Sequence, residues 1–322
     1  MTGLSAVAAD TATFRVPDPD GRLAGVRLIP EIRVSGQDFS REDAGWTLVI
    51  ARPPVNRMEY KLEFRYPDGG SETVLDAGNP RRAAGAFGEK SVLEFPEYRP
   101  PAWLAAPAGA GLSAEFRSGR ITGRLWSPPG ATGDEPLLVV HDGPEYDAFS
   151  SLTRYLASGV PSVRALLLDP GDRNYNYSAS TRYATALAEA IPPAPVTIGM
   201  GTSLGALAML HAHSLYPNVF DALFLQSGSF FSLRYDAHEG WFPYYQRILR
   251  FVAGARLNWP VPVSLTCGIP EENLDNNRQL TQRLHARGYP ATLHEVPDAH
   301  NYTAWRDAFH PHLTRLLRQM CQ

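Results

Sequence analysis

The chain has 322 residues and a formal net charge of -3, a length that corresponds to about two domains with a sizeable core. The weak charge and the lack of Lys or Arg runs exclude the electrostatic footprint of a nucleic-acid-binding protein or of one that binds an anionic membrane surface. No stretch approaches the roughly 18 to 20 apolar residues that cross a bilayer, so a helical membrane span is excluded as well.

The first ten residues lack the basic segment and the long apolar segment of a signal peptide. We therefore predict a cytoplasmic protein. The two cysteines, Cys267 and Cys321, give no basis for a disulfide framework or a thiolate metal site. We expect neither a metal ion nor another cofactor.

The first hundred residues are typical of an all-β domain. Short apolar or alternating segments are separated by turn signals, at 45–50, 58–66 and 91–95. Within 58–66, polar and apolar residues alternate with period two, which predicts a half-buried strand. No helical periodicity is evident between about residues 20 and 100. We predict a tail over 1–20 and an immunoglobulin-like β-sandwich over 21–105.

A proline-rich linker over 96–107 leads to the second predicted domain, and Trp103 is expected to anchor this linker to one of the domains. Over 106–322, apolar runs typical of buried parallel strands alternate with helical segments. The strands are predicted at 137–141, 164–169, 223–226 and 263–267, and the helices at 181–190 and 276–287. This order predicts a doubly wound, mostly parallel sheet.

The segment 201–205 reads Gly-Thr-Ser-Leu-Gly and fits the G-x-S-x-G motif. A predicted strand at 195–200 precedes it, and a strong helix-forming segment at 206–213 follows it. In a nucleophile elbow the serine occupies a strained turn, and small residues two before and two after let strand and helix pass closely. We predict that Ser203 is a nucleophile, the alternative being a structural glycine-rich turn.

A histidine near the end of the chain is placed to act as the general base. In α/β hydrolases the catalytic residues follow the order serine, acid, histidine. His300 follows a predicted strand at 291–296 and precedes a terminal helix that starts near Thr303. Among the nine histidines, His141 and His238 stay as alternatives because they lie in predicted loops.

The acid of the triad is expected in the carboxylate-rich turn after Gly268. Glu271 is the first carboxylate there and is our candidate, while Glu272 and Asp275 are alternatives. Asp275 is also a candidate helix N-cap, and a merely solvated acidic turn is the structural alternative. A charged partner fixes the tautomer of the catalytic imidazole.

An oxyanion hole needs two main-chain N–H donors. The first is expected at Leu204, directly after the nucleophile, and the second in the loop that follows the strand ending at His141. Pro144 has no N–H to donate. The amide of Glu145 is therefore the prediction, with Tyr146 as the second choice.

Four segments together resemble the enterochelin esterase and esterase D branch of the α/β hydrolases. They are 141–146 (His-Asp-Gly-Pro-Glu-Tyr), 199–206 around Ser203, 268–271 (Gly-Ile-Pro-Glu), and 298–301 (Asp-Ala-His-Asn) followed by Trp305-Arg306. The resemblance covers nearly the whole chain, because the N-terminal part is similar to the immunoglobulin-like domain of that family. It implies an α/β-hydrolase fold, a Gly-x-x-Glu turn that delivers Glu271, and cytoplasmic hydrolysis of a siderophore's ester backbone.

The chain departs from that family pattern in two places. The family often has Gly-Gly-His-Asp around the base, where this chain has Asp-Ala-His-Asn at 298–301. In 173–177 the arginine is kept, but Asn176 replaces the acid. Arg173 would suit an anionic substrate through charge-assisted hydrogen bonds, the alternative being a loop arginine paired with Asp169 or Asp172.

An aromatic-rich segment over 230–245 would form either a lid or acceptor pocket, or ordinary packing of an inserted helix. Trp241 in this segment, together with Tyr146, completes the candidates for substrate contact. The predicted partner is a small-molecule ester, with a ferric siderophore as the leading choice, and a homodimer is left open. An esterase of another ester, an acyltransferase using the same triad, and a catalytically inactive binding protein are the alternatives.

Overall fold

The computed structural model describes residues 6–7, 10–105 and 111–321. Residues 1–5 and 8–9 of the predicted tail and residues 106–107 of the predicted linker lie outside these ranges. Contacts divide the chain into two units. The first comprises Met1–Arg99, Gly268–Pro270 and Pro297–Asn301, and the second comprises Pro100–Cys267, Glu271–Val296 and Tyr302–Gln322.

The first unit is built from β-strands. They are β1 (Ala6–Val7), β2 (Thr11–Pro17), β3 (Gly25–Pro30), β4 (Ser40–Glu42), β5 (Gly45–Ala51), β6 (Arg57–Arg65), β7 (Ser71–Val74), β8 (Arg82–Ala83) and β9 (Lys90–Glu94). One antiparallel sheet has the order β1-β2-β5-β4, and the other has the order β3-β6-β9-β8 with β7 paired to β6. The predicted all-β architecture is confirmed.

The two sheets share one hydrophobic core. Phe14 of β2 and Ile50 of β5 come from one sheet, and Leu28 of β3 and Tyr60 of β6 come from the other. Each of these side chains is at most 1% exposed. Burying alternate residues of both sheets against each other defines a β-sandwich.

Strand β2 corrects the predicted tail over 1–20. Thr11–Pro17 pairs with β5 along its whole length, and its alternate residues Ala12, Phe14 and Val16 are buried. The period-two signal is present in the sequence Thr-Ala-Thr-Phe-Arg-Val. It is weak there because alanine contributes little apolar surface.

The second unit combines strands and helices. The strands are β10 (Leu112–Ser118), β11 (Ile121–Ser127), β12 (Leu137–Val140), β13 (Arg164–Leu168), β14 (Thr197–Thr202), β15 (Ala222–Gln226), β16 (Val263–Gly268) and β17 (Ala291–Val296). The α-helices are α1 (Gly143–Ser150), α2 (Leu152–Leu156), α3 (Arg173–Tyr177), α4 (Thr181–Ala190), α5 (Leu204–Leu215), α6 (Tyr245–Gly254), α7 (Leu274–Ala286), α8 (Tyr302–Asp307) and α9 (Thr314–Met320). Short 3-10 turns cover Ala102–Ala105 and Ala237–Trp241, and a π-turn covers Phe309–Leu313.

The sheet of this unit has the order β10-β11-β13-β12-β14-β15-β16-β17. Strands β12 to β16 pair in parallel, whereas β10 and β11 are antiparallel to their neighbours. Every residue of β12, β13 and β15 is buried, because hydrophobic clusters cover both faces of the sheet. The predicted doubly wound, mostly parallel sheet is confirmed.

Two local predictions have different outcomes. Trp103 packs against Tyr155 with 5.3 Å between ring centroids, so it anchors its segment to the second unit as expected. Helix α7 begins at Leu274 and its N-cap is Asn273. Asp275 therefore lies in the first turn, and the prediction that it is the N-cap is wrong.

No helix in the described ranges combines the length and the apolar character needed to cross a bilayer.

Candidate active site

Ser203 lies at the turn that joins β14 to α5. Its backbone angles are φ 54° and ψ -123°, and its N–H donates to the carbonyl of Gln226 over 2.9 Å. A Cβ at Gly201 would lie 2.5 Å from the backbone carbon of Gly205. Only glycine fits this crossing, so the strand, strained turn and helix predicted from the motif are confirmed.

The Ser203 side chain is half-buried, and its Oγ lies 3.1 Å from Oγ of Ser229. Leu204 is the first residue of α5, and an N–H in the first turn of a helix has no acceptor within that helix. The hydroxyl thus lies at the positive end of the helix dipole. This position suits a group that carries negative charge during a reaction.

His141, an alternative base, is fully buried at the end of β12. Burial lowers its pKa to about 4, so the ring is neutral, and its Nδ1 lies 2.9 Å from the carbonyl oxygen of Gly205. A carbonyl only accepts, and Nδ1 therefore carries the proton. His141 thus braces the start of α5 and has no exposed surface with which to meet a substrate.

Arg173, predicted to contact substrate, forms a two-pronged ion pair with Asp142. Its Nε and Nη2 donate to Oδ1 and Oδ2 of Asp142, each over 2.8 Å. Burial acts to lower the pKa of Arg173, but the hydrogen bonds and charge of Asp142 raise it above the usual value. The acid partner is Asp142, and the predicted alternatives Asp169 and Asp172 are wrong.

Asp142 itself is 1% exposed and adopts a left-handed conformation with φ 52°. Its N–H donates to the hydroxyl oxygen of Tyr177 over 3.2 Å. Arg173 and Tyr177 together fix the turn that enters α1. The aspartate directly after His141 is the sequence signal that could have indicated this ion pair.

Glu145 and Tyr146 follow in the first turns of α1. Tyr146 N–H donates to the carbonyl of Asp142 over 2.9 Å, so its amide is engaged within the helix. Glu145 precedes this first intrahelical bond, and its N–H has no acceptor within α1. Of the two amides considered for the oxyanion hole, only that of Glu145 remains.

The side chain of Tyr146 was predicted to contact substrate. It is 0% exposed, and its hydroxyl donates to Oε1 of Gln226 over 2.9 Å. A completely enclosed side chain offers no surface to a ligand. The prediction is corrected, and Tyr146 is a packing residue that ties α1 to β15.

The predicted acid Glu271 is held by the buried Ser227, which the buried Trp305 holds in turn. Ser227 Oγ donates to Oε1 of Glu271 over 2.7 Å. Nε1 of Trp305 donates to the same Ser227 oxygen over 3.0 Å. Sequence reasoning did not identify Ser227, because a serine forty-four positions away from its carboxylate partner carries no local signal.

The alternative acids make different contacts. Glu272 Oε2 lies 2.9 Å from Nε2 of His238, and both side chains are close to half exposed. Asp275 pairs with Arg278 over 3.1 Å, also at the surface. One group of possible metal ligands consists of His238, Glu239 and Glu272, whose nitrogen and oxygen atoms lie within 4.8 Å of one another. The hydrogen bond between His238 and Glu272 explains why these side chains lie close together. These exposed pairs leave Glu271 as the acid with a buried anchor.

His300 lies in the loop Pro297–Asn301, between β17 and α8, and this loop is part of the first unit. Its side chain is half-buried. The neighbours Asp298, Ala299 and Asn301 are 7%, 1% and 6% exposed. The loop is therefore held by the residues that flank the histidine.

The aromatic segment separates into buried and exposed members. Phe230 and Tyr245 are 1% and 4% exposed and belong to the core of the second unit. Trp241 is 76% exposed at the end of the 3-10 turn Ala237–Trp241. Ordinary packing accounts for the former, and Trp241 keeps a surface that a ligand can reach.

The doubly wound sheet, with a strained serine at the turn between its central strand β14 and helix α5, defines the α/β-hydrolase fold, here preceded by an antiparallel β-sandwich. No protein-family model matches the sequence, and no curated protein matches it.

Solved structures match over the whole chain. The enterobactin esterase FES from Shigella flexneri, solved in the presence of 2,3-di-hydroxy-N-benzoyl-glycine, gives a TM-score of 0.74 at 20% identity, covering 100% of this chain and 98% of that protein. The ferric enterobactin esterase from Salmonella typhimurium gives 0.72 at 19% identity, covering 99% and 97%. The Shigella flexneri protein in the presence of enterobactin gives 0.71 at 19% identity, covering 99% and 96%. The resemblance predicted from the sequence is thus confirmed in the fold.

Proposed function

We propose that this chain is a serine esterase that hydrolyses the ester bonds of a catecholate trilactone siderophore through an acyl-enzyme. The observation that carries the proposal is the Ser203 turn, with φ 54° at the start of α5. A non-glycine residue in this conformation is costly and persists where the surrounding structure imposes it, which is frequent at reactive sites. The strained turn supports Ser203 as the nucleophile.

The substrate class is proposed from the proteins that share the fold. Their structures were solved in the presence of enterobactin and of 2,3-di-hydroxy-N-benzoyl-glycine. Fold likeness alone does not fix a substrate, but it makes a catecholate ester the first compound to test. We assign the exposed Trp241 to contact the catechol ring, because an aromatic face stacks well on another ring.

In the proposed reaction, Ser203 Oγ forms a bond to the ester carbonyl carbon while its proton passes to Nε2 of His300. The oxyanion that forms accepts hydrogen bonds from the N–H groups of Leu204 and Glu145. As the ester bond breaks, His300 returns the proton to the departing alcohol oxygen. Glu271 accepts from Nδ1–H of His300 and stabilises its positive charge.

Water completes the cycle. His300 removes a proton from a water molecule as the water oxygen attacks the acyl-enzyme, and the proton then passes to Ser203 Oγ when the acyl group leaves. The product is a free carboxylic acid, so a cyclic trilactone opens to a linear chain at the first turnover. These steps use the side chains named and need no cofactor.

The cytoplasmic location and the homodimer stay predictions.

The test is mass spectrometry of the products after incubation with a ferric catecholate trilactone. The wild type and Ser203→Ala are compared with Ser214→Ala, which removes a hydroxyl near the other end of the same helix, where it donates to the carbonyl of His211. We expect linear trimers or smaller acids from the wild type and Ser214→Ala, and none from Ser203→Ala. An intact trilactone with the wild type would overturn the proposed substrate.

Three further assays distinguish the alternative functions from one another. Ser203-dependent cleavage of a simple aryl ester, with the trilactone intact, would indicate an esterase of another substrate. Transfer of the acyl group to an added alcohol, in place of release as acid, would indicate an acyltransferase. If a fluorophosphonate adds no mass to Ser203, the chain is an inactive binding protein.

A further inference from the structure

The loop Pro297–Asn301 folds as a part of the β-sandwich. Ala299 is 1% exposed and belongs to the same hydrophobic core as Phe14 and Leu28. The backbone N–H of Asn56 donates to the carbonyl of Pro297 over 2.8 Å. One side chain and one backbone bond therefore fix the loop just before His300.

The residue directly after His300 is fixed by a second contact. Nδ2 of Asn301 donates to Oε2 of Glu31 over 2.9 Å. The Asn301 N–H also donates to the carbonyl of Ala299 over 3.0 Å, which closes the backbone around the histidine. His300 thus stands between two anchored neighbours.

Behind Glu31 lies an ionic chain within the sandwich, which leads from the half-buried Glu31 and Lys90 to the buried pair Glu59 and Arg57. Glu31 pairs with Lys90, and Lys90 Nζ lies 3.7 Å from Oε2 of Glu59. Glu59 accepts from Nη1 of Arg57 over 2.7 Å, and both of these side chains are 4% exposed. Burial acts to lower the pKa of Arg57, but the charge and hydrogen bond of Glu59, with a smaller effect of the Asp298 charge, raise it. Buried charges are costly unless paired, so each of these groups is tied to its partner.

We infer that the β-sandwich positions the imidazole of His300, through Glu31 on Asn301 and through the core around Ala299. Glu31 is a positioning residue, since it acts through Asn301. The inference rests on the proposed function, in which His300 is the general base. It assigns the N-terminal sandwich a role in the reaction.

The chemistry explains why such anchoring matters. A general base must stay within hydrogen-bond reach of the proton it takes, and a misplacement of about 1 Å costs on the order of 100-fold in rate. The loop that carries His300 has no helix or strand of its own. With both neighbours fixed, the backbone of His300 is held in place.

The test compares Glu31→Ala, Asn301→Ala and the double variant with Glu94→Ala, which removes a surface ion pair with Arg81 in the same sandwich. Turnover of an aryl ester, KM, the rate of fluorophosphonate addition to Ser203, and the melting temperature are measured. Glu31→Ala and Asn301→Ala should each lower kcat and the labelling rate about tenfold, with KM within about twofold, because only the base is displaced.

Two further results identify positioning specifically. The double variant should lose no more activity than either single variant, since both remove the same hydrogen bond. Glu31→Gln should recover most of the activity, because its amide oxygen still accepts from Asn301. Asn301→Ala leaves the ionic chain intact and decides the outcome if Glu31→Ala does not fold.

The variant His300→Ala distinguishes a failure of the positioning role from a failure of the proposed function. If the wild type labels at Ser203 and His300→Ala does not, the proposed base stands, and unchanged kcat in Glu31→Ala and Asn301→Ala overturns the positioning role alone. A fall in melting temperature with unchanged kcat also overturns it, since the contacts are then only structural. If the wild type itself does not label, the proposed function and this inference both fail.

Discussion

The hydroxyl of Ser227 donates a hydrogen bond to Oε1 of Glu271 over 2.7 Å. The orientation of the Ser227 hydroxyl is fixed, because Nε1 of Trp305 donates to Ser227 Oγ over 3.0 Å. The backbone is fixed as well, with the Ser227 N–H donating to the carbonyl of Thr266 over 2.7 Å and φ at 48°. Ser227 is therefore a rigid support for one oxygen of the proposed acid.

Replacing this support should weaken catalysis without unfolding the chain. Ser227→Ala removes a hydrogen bond to a charged acceptor, an interaction worth about 1.5 to 3 kcal/mol. We expect kcat for an aryl ester to fall about tenfold, because in the proposed reaction Glu271 orients the imidazole that acts as the base, and its carboxylate would then be less well placed. Steady-state kinetics measure this directly.

Ser264→Ala is the matched control for Ser227→Ala. Ser264 is 8% exposed, and within the described part of the chain its hydroxyl has no hydrogen-bond partner. It should keep wild-type kcat. Equal losses in the two variants would show that the Ser227 contact does not serve the acid.

Alanine at Gly201 should destroy the elbow. Its Cβ would lie 2.5 Å from the backbone carbon of Gly205, so β14 and α5 would have to separate. We expect a stability loss of about 3 kcal/mol, the upper range for overpacking, and fluorophosphonate labelling of Ser203 reduced at least about 100-fold.

Gly254→Ala in α6 is the control for the elbow variant. A Cβ there meets nothing within 4 Å, and alanine is favoured over glycine in a helix by roughly 0.5 to 1 kcal/mol. Its labelling rate should match the wild type and its melting temperature should not fall. Retained labelling in Gly201→Ala would show that the close crossing is not required.

Removing Arg173 should destabilise the fold through Asp142. The Asp142 side chain is 1% exposed and Arg173 is 34% exposed, so the cost of an unpaired buried carboxylate is reduced by the water that enters. We expect a loss of about 2 to 3 kcal/mol for Arg173→Ala, below the range for a fully buried pair. The melting temperature measures it.

Asp142→Asn combined with Arg173→Ala should recover part of that loss, because the neutral amide needs no counter-charge. The opposite result would indicate that Arg173 contacts the substrate. In that case Arg173→Ala would keep the wild-type melting temperature and raise KM for a ferric catecholate but not for a neutral aryl ester.

Glu31 should make stability depend on pH. Burial and the nearby carboxylate of Glu59 raise its pKa from 4.5 to about 7, against the opposing effects of Lys90 and Asn301. Between these two pH values the folded chain holds more protons than the unfolded chain. The free energy of unfolding therefore falls as pH rises through this window and is level above it.

Glu31→Gln copies the protonated side chain at every pH and should lose this slope. Relative to the wild type, the variant should gain up to about 3 kcal/mol between pH 4.5 and 7, from one proton over the shifted interval. Calorimetric melting of both proteins across that range tests it. Parallel curves would show that Glu31 titrates at its ordinary pKa.

The parts of the site that the sequence predicted are those with local physical causes. The Ser203 turn follows from the steric demand of glycine at Gly201 and Gly205, which lies within five residues. The alternation of β6 and the apolar runs of β12 and β15 are likewise local. Such patterns predict the fold class without reference to any contact between distant residues.

Choices that depend on distant partners could not be made this way. Glu271 and Glu272 are adjacent in sequence and differ in their partners. Glu271 accepts from the buried Ser227, whereas Glu272 pairs with the exposed His238. Tyr146 is predicted as a substrate contact, and it lies in the same loop as the predicted second oxyanion donor. The orientation of α1, which buries the ring against Gln226, is a tertiary property.

The bond between Asn301 and Glu31 joins residues 270 positions apart, and Ala299 fills the core of a sandwich whose strands are all made in the first hundred residues. A ribosome that synthesises this chain from its N-terminus therefore releases the sandwich long before its last core residue exists. The core position that Ala299 fills is therefore empty while the rest of the chain is translated at roughly 5 to 20 residues per second. The core of the sandwich is therefore complete only once the loop that carries His300 has been synthesised.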